Sequence, residues 1–434
     1  MRDKEGMTPA ALVEREKKSE GQEWKDMALG EIFQETNLRV RDIHLPQEKI
    51  PILSITRDRG LVLQIEKFKH RVASKDISNY KLVHKGELVY GFPINEGVIA
   101  ILLCSDIGAV SPAYHVWKAK IVLDQDFFNS LVRLPDTIEA FSMLASTTVQ
   151  RRQNLPPEGF KNVVVSVPPL PEQQAISSVL RTVQQAKEAC ERVIAATRQL
   201  KQSLLQYLFT YGPVPFDQAD QVPLKETEIG LMPEPWRFEP LGDHLELIRN
   251  GLTRTQNKDG AGFPITRIET ISGDTINPKK VGFVEGLSEE EVAKFRLRRN
   301  DILFSHINSE PQLGRTAIYL GKPDVLIHGM NLLLLRSGKS MHPIFLDFVC
   351  QYLRKLGVFI GIASRAVGQS SINQGKLKAL QIPIPSCEEQ VEVAAQLSAV
   401  EAKLAGEEAR RDALDNLFKA LLHHLMTGKV RVTA

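Results

Sequence analysis

The feature that most constrains this chain is that it repeats itself. Setting Glu172 against Glu389 gives an offset of 217 residues, at which Phe160 meets Leu377, Val165 meets Ile382, Leu180 meets Leu397 and Val183 meets Val400. Leu200-Lys201-Gln202-Ser203-Leu204-Leu205 meets Leu417-Phe418-Lys419-Ala420-Leu421-Leu422, and Thr210 meets Thr427. One extra residue, Tyr211, precedes Gly212, which answers Gly428. Further back, with small slips, Trp24-Lys25 and Leu29-Gly30 answer Trp236-Arg237 and Leu241-Gly242, and the run 86–90 answers 300–304. A few matched apolar positions arise by chance; an ungapped register across a helix and its flanks does not. The 434 residues therefore divide into two copies, each of domain size.

Each copy pairs a mixed segment with a long helix. The mixed segments, 24–167 and 236–384, carry β-branched runs such as 51–55 and 98–102, separated by turn residues, and helix-like stretches at 127–144 and 343–359. The helices fall in 168–212 and 385–434. A tail, 1–23, precedes the first copy, and 213–235, punctuated by Pro213, Pro215, Pro223 and Pro233, reads as an extended linker. Along the first helix Ile176, Leu180, Val183, Leu200, Leu204 and Leu208 draw a seam at steps of three or four; along the second, Val393, Leu397, Val400, Leu417, Leu421 and Leu425 do. Neither seam has a partner in its own copy, so the two helices are expected to pack on each other as an antiparallel coiled coil. The fold class expected is α+β: two pseudo-repeated mixed α/β segments joined by that helix pair.

Several chemistries drop out. Gly338-Lys339-Ser340 lacks the upstream glycine of a phosphate loop, because position 333 is Leu333. Pro135-Asp136 and Pro323-Asp324 lack the acidic-x-Lys partner of a nuclease centre, and His423-His424 suits a helix C-terminus better than a metal. Cys104, Cys190, Cys350 and Cys387 form no C-x-x-C pair, so neither zinc nor a disulfide framework is expected. The chain is read as a non-enzyme with no metal and no bound cofactor. Its charged start and short apolar runs read as cytoplasmic, with no signal peptide and no membrane partner.

The net charge is only +3, so nucleic-acid binding must rest on local clusters. In the first segment these are Arg57 and Arg59, then Lys67, Lys69 and Arg71, then Gln150, Arg151, Arg152 and Asn154. In the second they are Arg254, Arg298, Arg299, Arg315 and Arg365, with His306, Asn308, Gln369 and Ser370. Lysine and arginine hold phosphates, while Asn, Gln and Ser pair with base edges. The loops at 150–154 and 368–373 occupy equivalent places before the strand that leads into each helix.

Pro169-Leu170-Pro171-Glu172-Gln173, the long helix and its closing Thr210 and Gly212 resemble the conserved region that ends each target recognition domain in the specificity subunits of Type I restriction-modification enzymes. The pattern returns, altered, from Pro385-Ser386-Cys387-Glu388-Glu389-Gln390 to Gly428, and Thr227 to Trp236 resembles the entry into the second recognition domain. The resemblance implies that each recognition domain reads one half of a split double-stranded DNA target, while the helices set the gap. It also implies two modification (methyltransferase) subunits and two restriction (translocase and endonuclease) subunits as partners. S-adenosylmethionine, ATP and Mg2+ would sit on those partners, not on this chain. A Type IIB-like recognition subunit shares the layout, and a coiled-coil adaptor is the reading from another class.

Overall fold

The computed structural model describes residues 23–57, 59–68, 73–147, 153–366 and 369–432. It forms two compact units, Met1–Ala189 with Arg411–Ala434, and Cys190–Arg410. Each long helix, Leu170–Tyr211 and Cys387–Met426, therefore gives one half to each unit.

In the first unit a four-stranded antiparallel sheet runs Phe33–Thr36, His115–Ala119, Leu88–Tyr90, Ile99–Ile101. In the second unit the order is Leu245–Asn250, Leu333–Ser337, Ile302–Phe304, Thr316–Ile318. In chain order both read first, fourth, second, third. Successive side chains of a strand point to opposite faces, and here both faces are covered. Leu88, Tyr90 and Trp117 join one core cluster and Val89 and Val116 another; Ile302, Phe304 and Leu335 join one and Leu303 and Leu334 another. That is why these strands read as continuous apolar runs.

The turn before each central strand is built alike. Gly86 adopts φ +86° and Asn300 φ +74°, a left-handed conformation open to glycine and tolerated by asparagine. The next residue is a buried acid: Glu87 accepts from the backbone N–H of His84, and Asp301 from that of Arg298, both at 2.7 Å.

Each mixed segment closes on a strand pair that leads into a long helix. Lys25–Ala28 pairs with Val164–Val167, and Arg237–Pro240 with Gln381–Ile384. The helix is then fastened at its first turn. Trp24 Nε1 donates to Glu172 at 3.2 Å, and Trp236 Nε1 donates to Glu389 at 3.0 Å. The next residue, Gln173 or Gln390, is buried. Gln173 accepts from the N–H of Asp124 and donates to Pro168 O; Gln390 accepts from the N–H of His342 and donates to Pro385 O. Burial would raise the Glu172 carboxyl, but the Arg431 guanidinium at 2.6 Å and the indole N–H hold it below the usual carboxylate range. At the second helix Ser386 caps instead: its hydroxyl accepts from Glu389 N–H, and Glu389 accepts from Ser386 N–H, a capping box. The departure from Leu-Pro at Ser386-Cys387 is thus a different way of starting the same helix.

Within each unit the helices run antiparallel. Lys187 bonds Asp415 at 2.5 Å in the first unit, where Ile176 and Leu180 pack with Leu421 and Leu425. Lys201 bonds Glu401 at 2.6 Å in the second, where Leu204 and Leu208 pack with Val393 and Leu397. Val183 and Val400 are half-buried. Two expected seam residues are corrected: Leu200 is 53% and Leu417 47% exposed. The inward positions are Lys201 and Phe418, because the stripe steps by four and three through Ile194, Thr197, Lys201, Leu204 and Leu208. Lys201 buries its stem and keeps its charge paired with Glu401 and Asp274.

Two other expectations are corrected. The segment 213–235 is folded rather than extended: Leu224–Thr227 and Gly230–Pro233 form a hairpin that buries Ile229 and Met232. Each helix-like stretch is two helices, Gln125–Leu131 and Pro135–Leu144, then Pro343–Lys355 and Val358–Ile362. Pro135 starts a new helix and Gly357, at φ +78°, ends one. No helix among the described residues is long and apolar enough to cross a membrane.

The seam assignment has a direct test by urea unfolding. Leu208→Ala and Leu397→Ala should each cost about 2–5 kcal/mol, whereas Leu200→Ala and Leu417→Ala should stay within about 0.5 kcal/mol of the parent.

Candidate nucleic-acid interface

The second unit gathers most of its candidate residues at one place. Beyond the central strand Ile302–Phe304 the chain turns into Ile307–Asn308, which pairs with Gln369–Ser371, which pairs with Ser364–Ala366. Asn308 stands opposite Ser370, and Ser370 opposite Arg365, so the three form one row across the strands. Ser370 is buried, while Gln369 and Arg365 are exposed. Asn308 donates to Ser305 Oγ at 3.1 Å and accepts from Ser309 N–H at 2.9 Å, which fixes its amide. Arg365 Nε lies 3.1 Å from Glu310 Oε1.

His306 lies at the base of this sheet, its carbonyl accepting from Ile372 N–H at 2.8 Å. It is buried, its Nδ1 has no partner among the described residues, and burial lowers its pKa, so the ring is neutral at neutral pH. Arg315 adjoins it: its carbonyl accepts from Ser305 N–H at 2.8 Å. His306, Asn308, Arg315, Arg365, Gln369 and Ser370, distant in sequence, therefore converge.

Arg254, Arg298 and Arg299 do not join them. Arg254 is tied to Glu291 at 2.7 Å. Arg298 and Arg299 sit before the other end of the Ile302–Phe304 strand, where with Arg296, Tyr319 and Asp324 they line a cavity of about 390 Å3. Behind that turn Arg336 forks onto Asp301 with two bonds of 2.7 Å, and Arg249 lies 5.2 Å over the Phe295 ring. His328, fully buried, donates from Nε2 to Leu332 O, and burial drives its pKa down to about 3. These groups hold the turn.

In the first unit Arg57 and Arg59 flank the tip of the hairpin Leu53–Thr56 and Gly60–Leu63. Arg59 bonds Glu66 at 3.1 Å, and Lys67 Nζ reaches back to Ile55 O at 3.0 Å. Lys69, Arg71, Gln150, Arg151 and Arg152 lie outside the described residues. Asn154 is exposed on a strand, Gln153–Asn154, paired with Ser146–Thr147. In both units such a hairpin precedes a short helix, Pro157–Asn162 or Gln374–Ala379, and then the strand into the long helix.

Sequence reasoning did not single out Glu310, the acid that steadies Arg365. Nor did it find Asp347, whose carboxyl is buried on the helix Pro343–Lys355. Burial pushes that carboxyl up to about 7, against a hydrogen bond from Gln351 at 2.8 Å. Among the described residues no group of three or more His, Cys, Asp and Glu is placed to hold a metal ion.

Residues 233–416 match the family described as the Type I restriction modification DNA specificity domain. The second unit's four-stranded sheet, its strands Ser364–Ala366 and Gln369–Ser371 and its part of the second long helix fall within that match, and its part of the first long helix does not. Residues 233–416 are thus similar to that specificity domain. Over 207 residues it is 49% identical to the putative type I restriction enzyme MjaX specificity subunit of Methanocaldococcus jannaschii, covering 48% of this chain and 49% of that one. It is 24% identical over 256 residues to the EcoKI specificity subunit of Escherichia coli K12, covering 55% and 51%. The chain thus spans about half the length of these curated relatives. In fold it resembles the Type I S subunit from M. genitalium, with a TM-score of 0.57 at 14% identity over 94% of this chain and 97% of that one.

Asp347 generates a test of this region. Its carboxyl titrates near 3.8 unfolded and near 7 folded, so the fold prefers the neutral form and loses stability as pH rises from about 4 to 7. Asp347→Asn should abolish that loss: the variant's urea midpoint should exceed the parent's at pH 7.5 and match it near pH 4. Equal midpoints at both pH values would show that the group is not buried as a neutral acid.

Proposed function

We propose that this chain is the non-catalytic DNA specificity subunit of a Type I restriction-modification enzyme. The observation that carries the reading is the specificity-domain match over residues 233–416. It is supported by the shared strand order and helix-start fastening of the two units. In this proposal the segments 24–167 and 236–384 are pseudo-repeated target recognition domains, each reading one half of a bipartite duplex target. The helices of 168–212 and 385–434 form a coiled coil that sets the gap between the half-targets. They also dock two modification subunits, to which two restriction subunits join. S-adenosylmethionine, ATP and Mg2+ belong to those partners, and the complex acts in the cytoplasm.

The purified chain should bind duplex DNA with an affinity that falls steeply with salt, because phosphate contacts release counterions, and should transfer no methyl groups alone. With its modification subunits it should methylate a bipartite sequence. Replacing 24–167 by the matching part of a related protein should change one half of the methylated sequence and leave the other. A change in both halves would sink the modular reading, and methyl transfer by the chain alone would sink the non-catalytic one.

A further inference from the structure

We propose that Arg365 reads a guanine in the half-target of the second unit, with Glu310 as its positioning residue. The inference rests on the specificity-subunit reading above and adds to it the side chain and the base. Arg365 is 71% exposed, at the edge of the three-stranded sheet and in row with Ser370 and Asn308. Glu310 Oε1 lies 3.1 Å from its Nε, and the exposed guanidinium ends in a planar fork of two Nη groups. That fork matches the O6 and N7 acceptors that guanine presents in the major groove. The edge pair Ser364–Ala366 and Gln369–Ser371 is a two-stranded ribbon with strands about 4.8 Å apart, which a major groove about 12 Å wide admits.

Electrostatics decides between a base and a phosphate. An arginine that serves a phosphate needs its full positive charge, and a carboxylate at 3.1 Å offsets that charge and repels the anion. A base edge is neutral, so the same carboxylate costs little there and restricts the rotamers of a long side chain. The surroundings agree. Asn308, in the same row as Arg365, has its amide fixed and is a side chain suited to base edges. His306 beneath adds no charge at neutral pH. A plain surface ion pair would be expected to contribute almost nothing to stability or specificity, so the alternatives differ in what a substitution does.

The test uses the assembled methyltransferase, this chain with its modification subunits, on the cognate duplex and on duplexes changed at one base pair. R365A should lose about 10- to 100-fold of the discrimination at a single G·C pair and leave every other position as it was. R365K should not restore it, because an ammonium lacks the planar fork. E310Q should weaken discrimination at that same pair and at no other. The salt dependence of binding should keep its slope, since no phosphate contact is lost. Equal loss on all duplexes with a shallower salt slope would mean a phosphate contact and overturn the proposal, as would an unchanged specificity profile or relaxation at an A·T pair. If the parent complex itself methylates without sequence preference, the specificity-subunit reading fails; if it is specific and R365A leaves its specificity intact, only this inference fails.

Discussion

The architecture depends on a tryptophan N–H held by a glutamate in the first turn of a long helix. A helix of 42 or 40 residues is a long lever: at ~1.5 Å per residue it runs about 60 Å, so a small error at its base grows along its length. Trp24 with Glu172 and Trp236 with Glu389 fix that base, and the adjacent buried glutamine ties the helix to the start of a second helix in the same unit. Gly212 and Gly428, both left-handed, lie against Trp236 and Trp24, so each indole also seats the end of the other long helix.

The sheet above this base is covered on both faces, which leaves the strand ends and hairpins to meet a ligand. The candidate interface follows that rule. Its residues sit where Ile302–Phe304 runs out and two short strands return beside it. A rigid buried acid-and-arginine cluster, Asp301 with Arg336, anchors the strand at its opposite end. Base reading tolerates little misplacement, and a surface hairpin gains precision only from the packed strand it extends.

Much of this was legible in the sequence. The repeat register aligned Leu88 with Ile302 and Glu172 with Glu389, pairs that occupy like places in their units, and Asn154 and Gln369–Ser371 lie on strands of like hairpins. The features that stayed hidden have physical causes. A lysine with a long apolar stem can take an inward position, so the sequence pattern favours Leu200 where the packed stripe uses Lys201. Prolines announce a break in helix or strand without specifying the conformation beyond it, so the hairpin at Leu224–Pro233 read as linker. The meeting of Asn308 with Arg365 depends on strand pairing between segments more than fifty residues apart, which no local pattern encodes. Glu310 carries negative charge, whereas positive charge and amides mark a DNA-binding surface in a sequence, so its role shows only in the ion pair with Arg365.

The charges inside the helix pair bear on which helix accepts which partner. Lys187 faces Asp415, and at the repeat offset of 217 residues Asp415 corresponds to Arg198. Two copies of the first helix brought together in the same alignment would therefore set Lys187 against Arg198, cation on cation. The second helix offers Leu404 where the first has Lys187, so it makes no such demand. The second helix instead presents Asp415 to Lys187 and Glu408 to Arg198, so charge favours pairing of the first helix with the second.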